Sequence, residues 1–253
     1  MRHLILSAII LLSPAVILLT ACNPWQYMTI NSAQLTHNDY NQLVYENDTM
    51  RLIYDIGGND GQATLRILNK TGQPLTVNWR KSAFIRNQES IGFYGQDIIV
   101  HGHTISRSRY NRDFVASFML PDSVDFIPPG SGIAKTLPTL ASTGPLQIDL
   151  PDSLPQKKLA GSSGFNAVNY KQLHYDETNT PIRFMSYLTF SIGHDNMEFS
   201  VTNRFYVSEV YLADGRPETF TLYHGRGDQI YIRSKMSNPA VGEGQPTASS
   251  NIR

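Results

Sequence analysis

Cysteine is almost missing from this sequence: Cys22 is the only one in 253 residues. A lone thiol excludes an internal disulfide and a zinc site built from several cysteines, so stability has to come from the packed core. An excess of charge of one sign is missing as well, because 21 Lys and Arg stand against 21 Asp and Glu. With no global field to attract a phosphate backbone, no nucleic-acid partner is expected. No stretch carries apolar residues at helical spacing between caps, so few or no helices are expected. A phosphate loop, a dinucleotide fingerprint and the nucleophile elbow of serine hydrolases are all missing. No cofactor is expected, and catalysis is not the leading expectation.

What is present begins at the N-terminus. Arg2 and His3 precede an apolar run from Leu4 to Leu19 that contains Pro14 and is too short for a comfortable membrane span. It closes on Leu19-Thr20-Ala21-Cys22, a lipobox pattern in which small residues precede a cysteine that carries diacylglycerol. Residues 1–21 are thus expected to be a lipoprotein signal peptide, with Cys22 acylated and the mature chain held to the membrane through it. Residues 22–41 are polar with scattered aromatics (Trp25, Tyr27, Tyr40) and no sustained period, which predicts a tether.

Beyond the tether, apolar and polar residues alternate. Met50, Leu52, Tyr54 and Ile56 share one face, as do Ala63, Leu65 and Ile67, then Leu75, Val77 and Trp79. Gly-rich and Thr-Gly-Gln-Pro turns separate the three runs, predicting a three-stranded meander with one oily face that another layer must cover. Further strands are predicted at 42–46, 98–105, 114–120, 146–150, 181–192, 197–202, 205–212, 219–223 and 229–233. Strands at this spacing predict an all-β fold, an antiparallel immunoglobulin-like β-sandwich over residues 42–235. Pro, Ser, Gly and Lys predict a long irregular excursion around 128–165, and residues 236–253 have the composition of a disordered tail.

The lipobox, the Asn69-Lys70-Thr71 turn, Ser82 to Ile85, Ile127-Pro128-Pro129-Gly130-Ser131 and Asn203 to Ser208 together resemble a group of uncharacterised β-rich lipoproteins of Bacteroidota-type bacteria. The resemblance spans most of the mature chain. It implies an address, the cell envelope and its outer membrane, and no reaction. The residues after Cys22 (Asn23-Pro24-Trp25-Gln26-Tyr27) depart from the acidic cluster that accompanies export to the cell exterior in such bacteria, so the resemblance leaves the periplasmic and outer faces both open.

Candidate chemistry is sparse. His101 and His103 are two apart, the spacing at which neighbours on one strand can share an ion, and His174, His194 or His224 could add a ligand. Two exposed histidines beside a turn are the simpler reading, and no bound metal is expected. Arg226-Gly227-Asp228 matches the integrin-binding tripeptide, but a loop before the last strand accounts for it. Arg107, Arg109, Tyr110 and Arg112 could grip a phosphate or acidic glycan, although a solvated strand face is simpler. Asp48-Thr49, Asp122-Ser123 and Asp152-Ser153, each followed by an apolar residue, match a loose O-glycosylation pattern, giving Thr49, Ser123 and Ser153 as acceptor candidates. The leading expectation is a lipid-anchored, non-catalytic envelope protein that binds or supports an envelope protein or glycan. The alternatives are a hydrolase or metal-dependent enzyme on a β-sandwich scaffold, and a surface adhesin or glycan-binding module marked by exposed aromatics in a groove.

Overall fold

The computed structural model describes residues 24–94, 99–106, 112–119, 122–159, 167–193 and 197–234. In chain order the strands are β1 (Trp25–Asn31), β2 (Thr36–His37), β3 (Leu43–Glu46), β4 (Met50–Asn59), β5 (Gln62–Asn69), β6 (Leu75–Arg86), β7 (Glu89–Gly92) and β8 (Ile99–Ser106). They continue as β9 (Arg112–Met119), β10 (Val124–Ile127), β11 (Gly132–Leu137), β12 (Lys157–Leu159), β13 (Val168–His174), β14 (Arg183–Ile192), β15 (Met197–Ala213) and β16 (Gln229–Arg233). One turn of 3₁₀-helix, Leu140–Thr143, is the only helical element among the described residues.

The protein is all-β, and fourteen of its strands join one large mixed sheet. Its main path runs β10-β6-β14-β15-β1-β16-β4-β3-β2, with β5 and β11 continuing from β4 and with β12 and β13 attached through β15. Every pairing in it is antiparallel except β16 with β4, where Ile230 meets Gly58 and Tyr231 meets Asn59. β8 and β9 form a separate two-stranded ribbon. The sheet curls on itself: Tyr54 of β4 packs edge-on against Phe205 of β15 at 5.0 Å, although two strands separate β4 from β15 in the hydrogen-bonded order.

The alternating runs do bury the expected faces. Met50, Leu52, Tyr54, Ile56, Leu65, Ile67, Leu75, Val77 and Trp79 are all fully buried in one core. β4 and β5 form the expected hairpin, closed by Asp60 and Gly61, both with φ near +60° as a tight primed turn requires. The third strand of the meander is placed differently. β6 pairs with β10, β14 and β7, and β5 pairs with β11, so β5 and β6 face one core from separate parts of the curled sheet. Asn69 makes the corner between them. Its amide donates to the carbonyls of Gln73 (2.7 Å) and Ile127 (3.0 Å), and its Oδ1 accepts from the Thr71 backbone N–H (2.9 Å). Period two identifies a face and not a neighbour.

Residues 22–41 are not a tether throughout. Trp25–Asn31 is an interior strand, paired with β15 on one side and β16 on the other. Tyr27 fills a second, aromatic cluster with Phe220, Tyr211 and Val168, while Met28 and Ile30 enter the main core. Buried on both faces, this strand shows no alternation. Gln26, within this strand, is also buried, and its side-chain amide acts as a strand edge: Nε2 donates to the Ile148 carbonyl (2.6 Å), and the Ile148 N–H donates to Oε1 (2.8 Å). That docking replaces the strand expected at 146–150. The excursion also holds a regular strand, β11, in register with β5. Segments 197–202 and 205–212 merge into one strand, β15. Residues 219–223 are turns, in which the Phe220 N–H donates to the Arg216 carbonyl, and not a strand.

Candidate functional site

The most exposed aromatic side chain among the described residues is Tyr40, at 76%. It is displayed by a locked turn. The Asn38 Oδ1 accepts from the N–H of Tyr40 (3.0 Å) and of Gln42 (2.9 Å), the Asn41 N–H donates to the Asn38 carbonyl (2.9 Å), and Asn41 takes a left-handed φ of 56°. The Gln42 amide is tied in turn to Asp55 Oδ2 (2.7 Å). Beside this turn, the outer face of β4 and β5 presents Arg51, Ile53 and Arg66, with Ile53 and Arg66 directly paired. Together with Asp39 they line an open groove of about 510 Å³. Arg51 Nε lies 3.5 Å from Glu46 Oε2, and a Lys70 hydrogen bond holds the Glu46 carboxyl below its ordinary range. A ring held clear of the core, flanked by guanidinium and carboxylate groups that donate and accept in fixed planes, can stack the C–H face of a sugar and bond its hydroxyls.

A second cavity, of about 330 Å³, opens beside the end of β6 and the start of β14, against the middle of β15. Phe184 and Phe205, stacked at 4.9 Å and 11°, lie beneath it in the core and are almost inaccessible. Arg86, Arg183, Arg204 and Glu177 contribute its charge, and the two-residue turn Asn87–Gln88, both left-handed at φ 51° and 69°, forms part of its wall.

The candidates read from the sequence fall elsewhere. Positions 101 and 103 lie on β8, opposite 117 and 115 of β9. His174 is engaged by Glu209 (3.3 Å) and Gln172 (3.0 Å), and His194 lies outside the described residues. Among the described residues no group of three His, Cys, Asp or Glu converges. Cys22, residues 1–23, the cluster positions 107–110 and the tail 236–253 also lie outside them. Thr49 and Ser123 are half-buried beside strand ends, while Ser153 is exposed in the turn closed by the Leu154 N–H to the Pro151 carbonyl (3.2 Å).

Arg226-Gly227-Asp228 is not displayed. The Asp228 side chain is 1% exposed and is gripped by Arg226 through Nε (3.0 Å) and a terminal nitrogen (2.6 Å), with His37 Nε2 at 3.6 Å. Those hydrogen bonds raise the Arg226 pKa above its ordinary value. The loop is structural: the Gly227 carbonyl accepts from the Ile56 N–H, and a Cβ on Gly227 would sit 2.5 Å from the Gln42 side chain.

Tyr40 and Arg66 were missed because the first lay in the supposed tether and the second reads as an ordinary solvent-side residue of an alternating strand. The available signal was the string Asn38-Asp39-Tyr40-Asn41, turn formers around an aromatic. No protein-family model, curated protein or solved structure matches this chain.

Proposed function

We propose that this chain is a lipid-anchored protein of the bacterial cell envelope, held through Cys22 to the outer membrane, and that it works by binding and not by catalysis. The scaffold we infer is an immunoglobulin-like sandwich, with the curled sheet supplying both layers. The observation that carries the binding reading is the Tyr40 groove. A large aromatic is kept in water by a turn whose hydrogen bonds serve to hold it there, beside two arginines and an aspartate. Exposed aromatics scattered singly call for no explanation, but one fixed over a polar groove is a recognition feature. An envelope glycan is the partner its chemistry fits best.

The test is titration of the mature full-length protein against purified envelope glycans. Saturable binding is expected for at least one class. In Tyr40→Ala it should weaken by roughly tenfold, the equivalent of about 1.4 kcal/mol. The unfolding free energy should move by no more than about 0.5 kcal/mol, since the ring makes no core contact. Binding that survives Tyr40→Ala and Arg66→Ala unchanged would remove the groove from the account.

A further inference from the structure

We propose that the end of the sheet at which β1 begins lies against the lipid bilayer, with the Trp25 and Tyr170 rings in its headgroup layer. The proposal rests on the reading of Cys22 as a lipid anchor and is independent of the Tyr40 groove.

The first observation is a row of side chains at this end. Lys157 pairs with Tyr170, Tyr170 with Ala213, Ala213 with Trp25 and Trp25 with Arg233, so one line of register crosses β12, β13, β15, β1 and β16. Directly paired residues project to the same side of a sheet, which puts two aromatic rings on one face with a cation at each end of their row. Lys157 and Arg233 are exposed, while Trp25 and Tyr170 are half-buried against the second aromatic cluster. Leu159, two residues further along β12 and opposite Val168, packs half-buried on the same cluster.

The second is what the polar tips of these rings do. In the interior, Tyr27 donates its hydroxyl to the Gly215 carbonyl (2.6 Å), and the Tyr54 hydroxyl is held by Ser186 and Asn203. At the rim, the Trp25 indole N–H and the hydroxyls of Tyr170, Tyr223 and Tyr231 form no hydrogen bond with a described residue. Each rim ring thus sets an apolar body against the protein and turns a polar tip outward. That division suits Trp and Tyr to the boundary between hydrocarbon and water, where neighbouring Lys and Arg side chains lay their stems along the apolar surface and keep their charges wet. The exposed charges at this end are of both signs, with Asp214 and Glu218 beside Lys157, Arg216 and Arg233, so the surface does not demand an anionic lipid.

The third is reach. Half-buried aromatics at the rim of a core are ordinary, and the length of the anchor is what gives these a partner. The Ser234 N–H donates to the Pro24 carbonyl (2.9 Å), which fixes Pro24 to the end of β16. Trp25 follows Cys22 by three residues, a span of about 11 Å when fully extended. The layer between hydrocarbon and bulk water is itself about 5 to 7 Å deep in each leaflet. Diacylglycerol carried by Cys22 therefore holds the Trp25 row at the bilayer surface, with no tether long enough to let this end stand away from it.

The experiment uses the full-length protein purified with its lipid and reconstituted into vesicles of phosphatidylcholine, with or without bromine on the acyl chains near the glycerol. Bromine quenches indole fluorescence on contact, and the chain has two tryptophans, Trp25 and the fully buried Trp79. In brominated vesicles the wild type is expected to lose the Trp25 share of its emission. Trp25→Phe, which keeps Trp79 alone, should emit equally in both kinds of vesicle. Trp79→Phe should be quenched more completely than the wild type; if that variant does not fold, the wild type and Trp25→Phe still decide. Equal fractional quenching of wild type and Trp25→Phe would overturn the proposal. So would an unquenched wild type that carries its lipid and floats with the vesicles, which would leave this end to a protein or glycan partner. A chain that lacks the lipid or does not float with the vesicles would refute the anchor reading itself, and the proposal with it.

Discussion

The hydroxyl of Tyr54 on β4 lies 2.7 Å from Oγ of Ser186 on β14, and the Asn203 amide of β15 donates to the same hydroxyl at 2.8 Å. All three residues are essentially inaccessible to solvent, so this is a closed polar network in the middle of an apolar core, joining three strands across the curl of the sheet. Tyr54→Phe keeps the ring and its packing on Phe205 but strands the Ser186 hydroxyl and the Asn203 amide. A loss of about 1 to 3 kcal/mol is expected in urea unfolding, the cost of leaving buried groups unpaired. An unchanged midpoint would show that water or a local shift satisfies them.

Trp79 and Asn78 provide a contrast one residue apart. Trp79 is fully buried, its indole N–H donates to Asp125 Oδ2 at 2.7 Å, and Lys135 lies over its ring at 5.4 Å. Trp79→Ala should cost about 3 to 5 kcal/mol. Asn78 points the other way and its side chain accepts only a long bond from the Lys81 N–H (3.3 Å), so Asn78→Ala should stay within about 1 kcal/mol. Equal midpoint shifts in urea would mean the face is misassigned.

High pH should undo the fold through its tyrosines. Burial pushes the Tyr54 phenol up to about 12, and burial also raises Tyr27 and Tyr211. The native state keeps protons that the unfolded chain releases above pH 10, so the unfolded state binds fewer protons and stability falls as pH rises. The stabilisation is complete below about pH 10 and is lost at about 1.4 kcal/mol per pH unit for each such phenol. Unfolding midpoints followed with phenolate absorbance should drop together between pH 10 and 12. Phenolate absorbance rising fully while the fold persists would contradict the burial.

Gln26 offers a second test in which stability falls as pH rises, at lower pH and in a variant. Gln26→Ala leaves both the N–H and the carbonyl of Ile148 without partners, at a cost of roughly 2 to 5 kcal/mol. Gln26→Glu keeps the acceptor and regains the donor only when protonated, so its native pKa should be raised. The variant should then approach wild-type stability near pH 4 and fall behind it as pH rises to 7. A pH-independent deficit would show that the amide does not act as the strand edge described.

These residues also show where sequence and structure part. Faces were legible wherever one side of a strand meets water, as in β4 and β5. β1 was not, because Tyr27 and Met28 are buried on opposite sides and Gln26 looks like a surface residue until its partner 122 positions away is known. Strand neighbours were not legible either: β6 leaves β5 at a corner built from Asn69 and carbonyls of residues near 127, a contact no local pattern contains. Phe220 reads as a strand residue because it is apolar, yet it fills the aromatic cluster from a turn. The second cavity is lined by residues 86, 183 and 204, from the end of β6, the start of β14 and the middle of β15, and nothing in their spacing predicts the meeting.

The proposed envelope-binding role requires first that the chain be anchored where its partner is. The direct measurement is the mass of the mature N-terminal peptide from membrane-extracted protein. A chain beginning at Cys22 and carrying diacylglycerol is expected, and Cys22→Ser should lose the lipid and leave the membrane fraction. An unmodified N-terminal Cys22, or a chain that still begins at Met1, would contradict it.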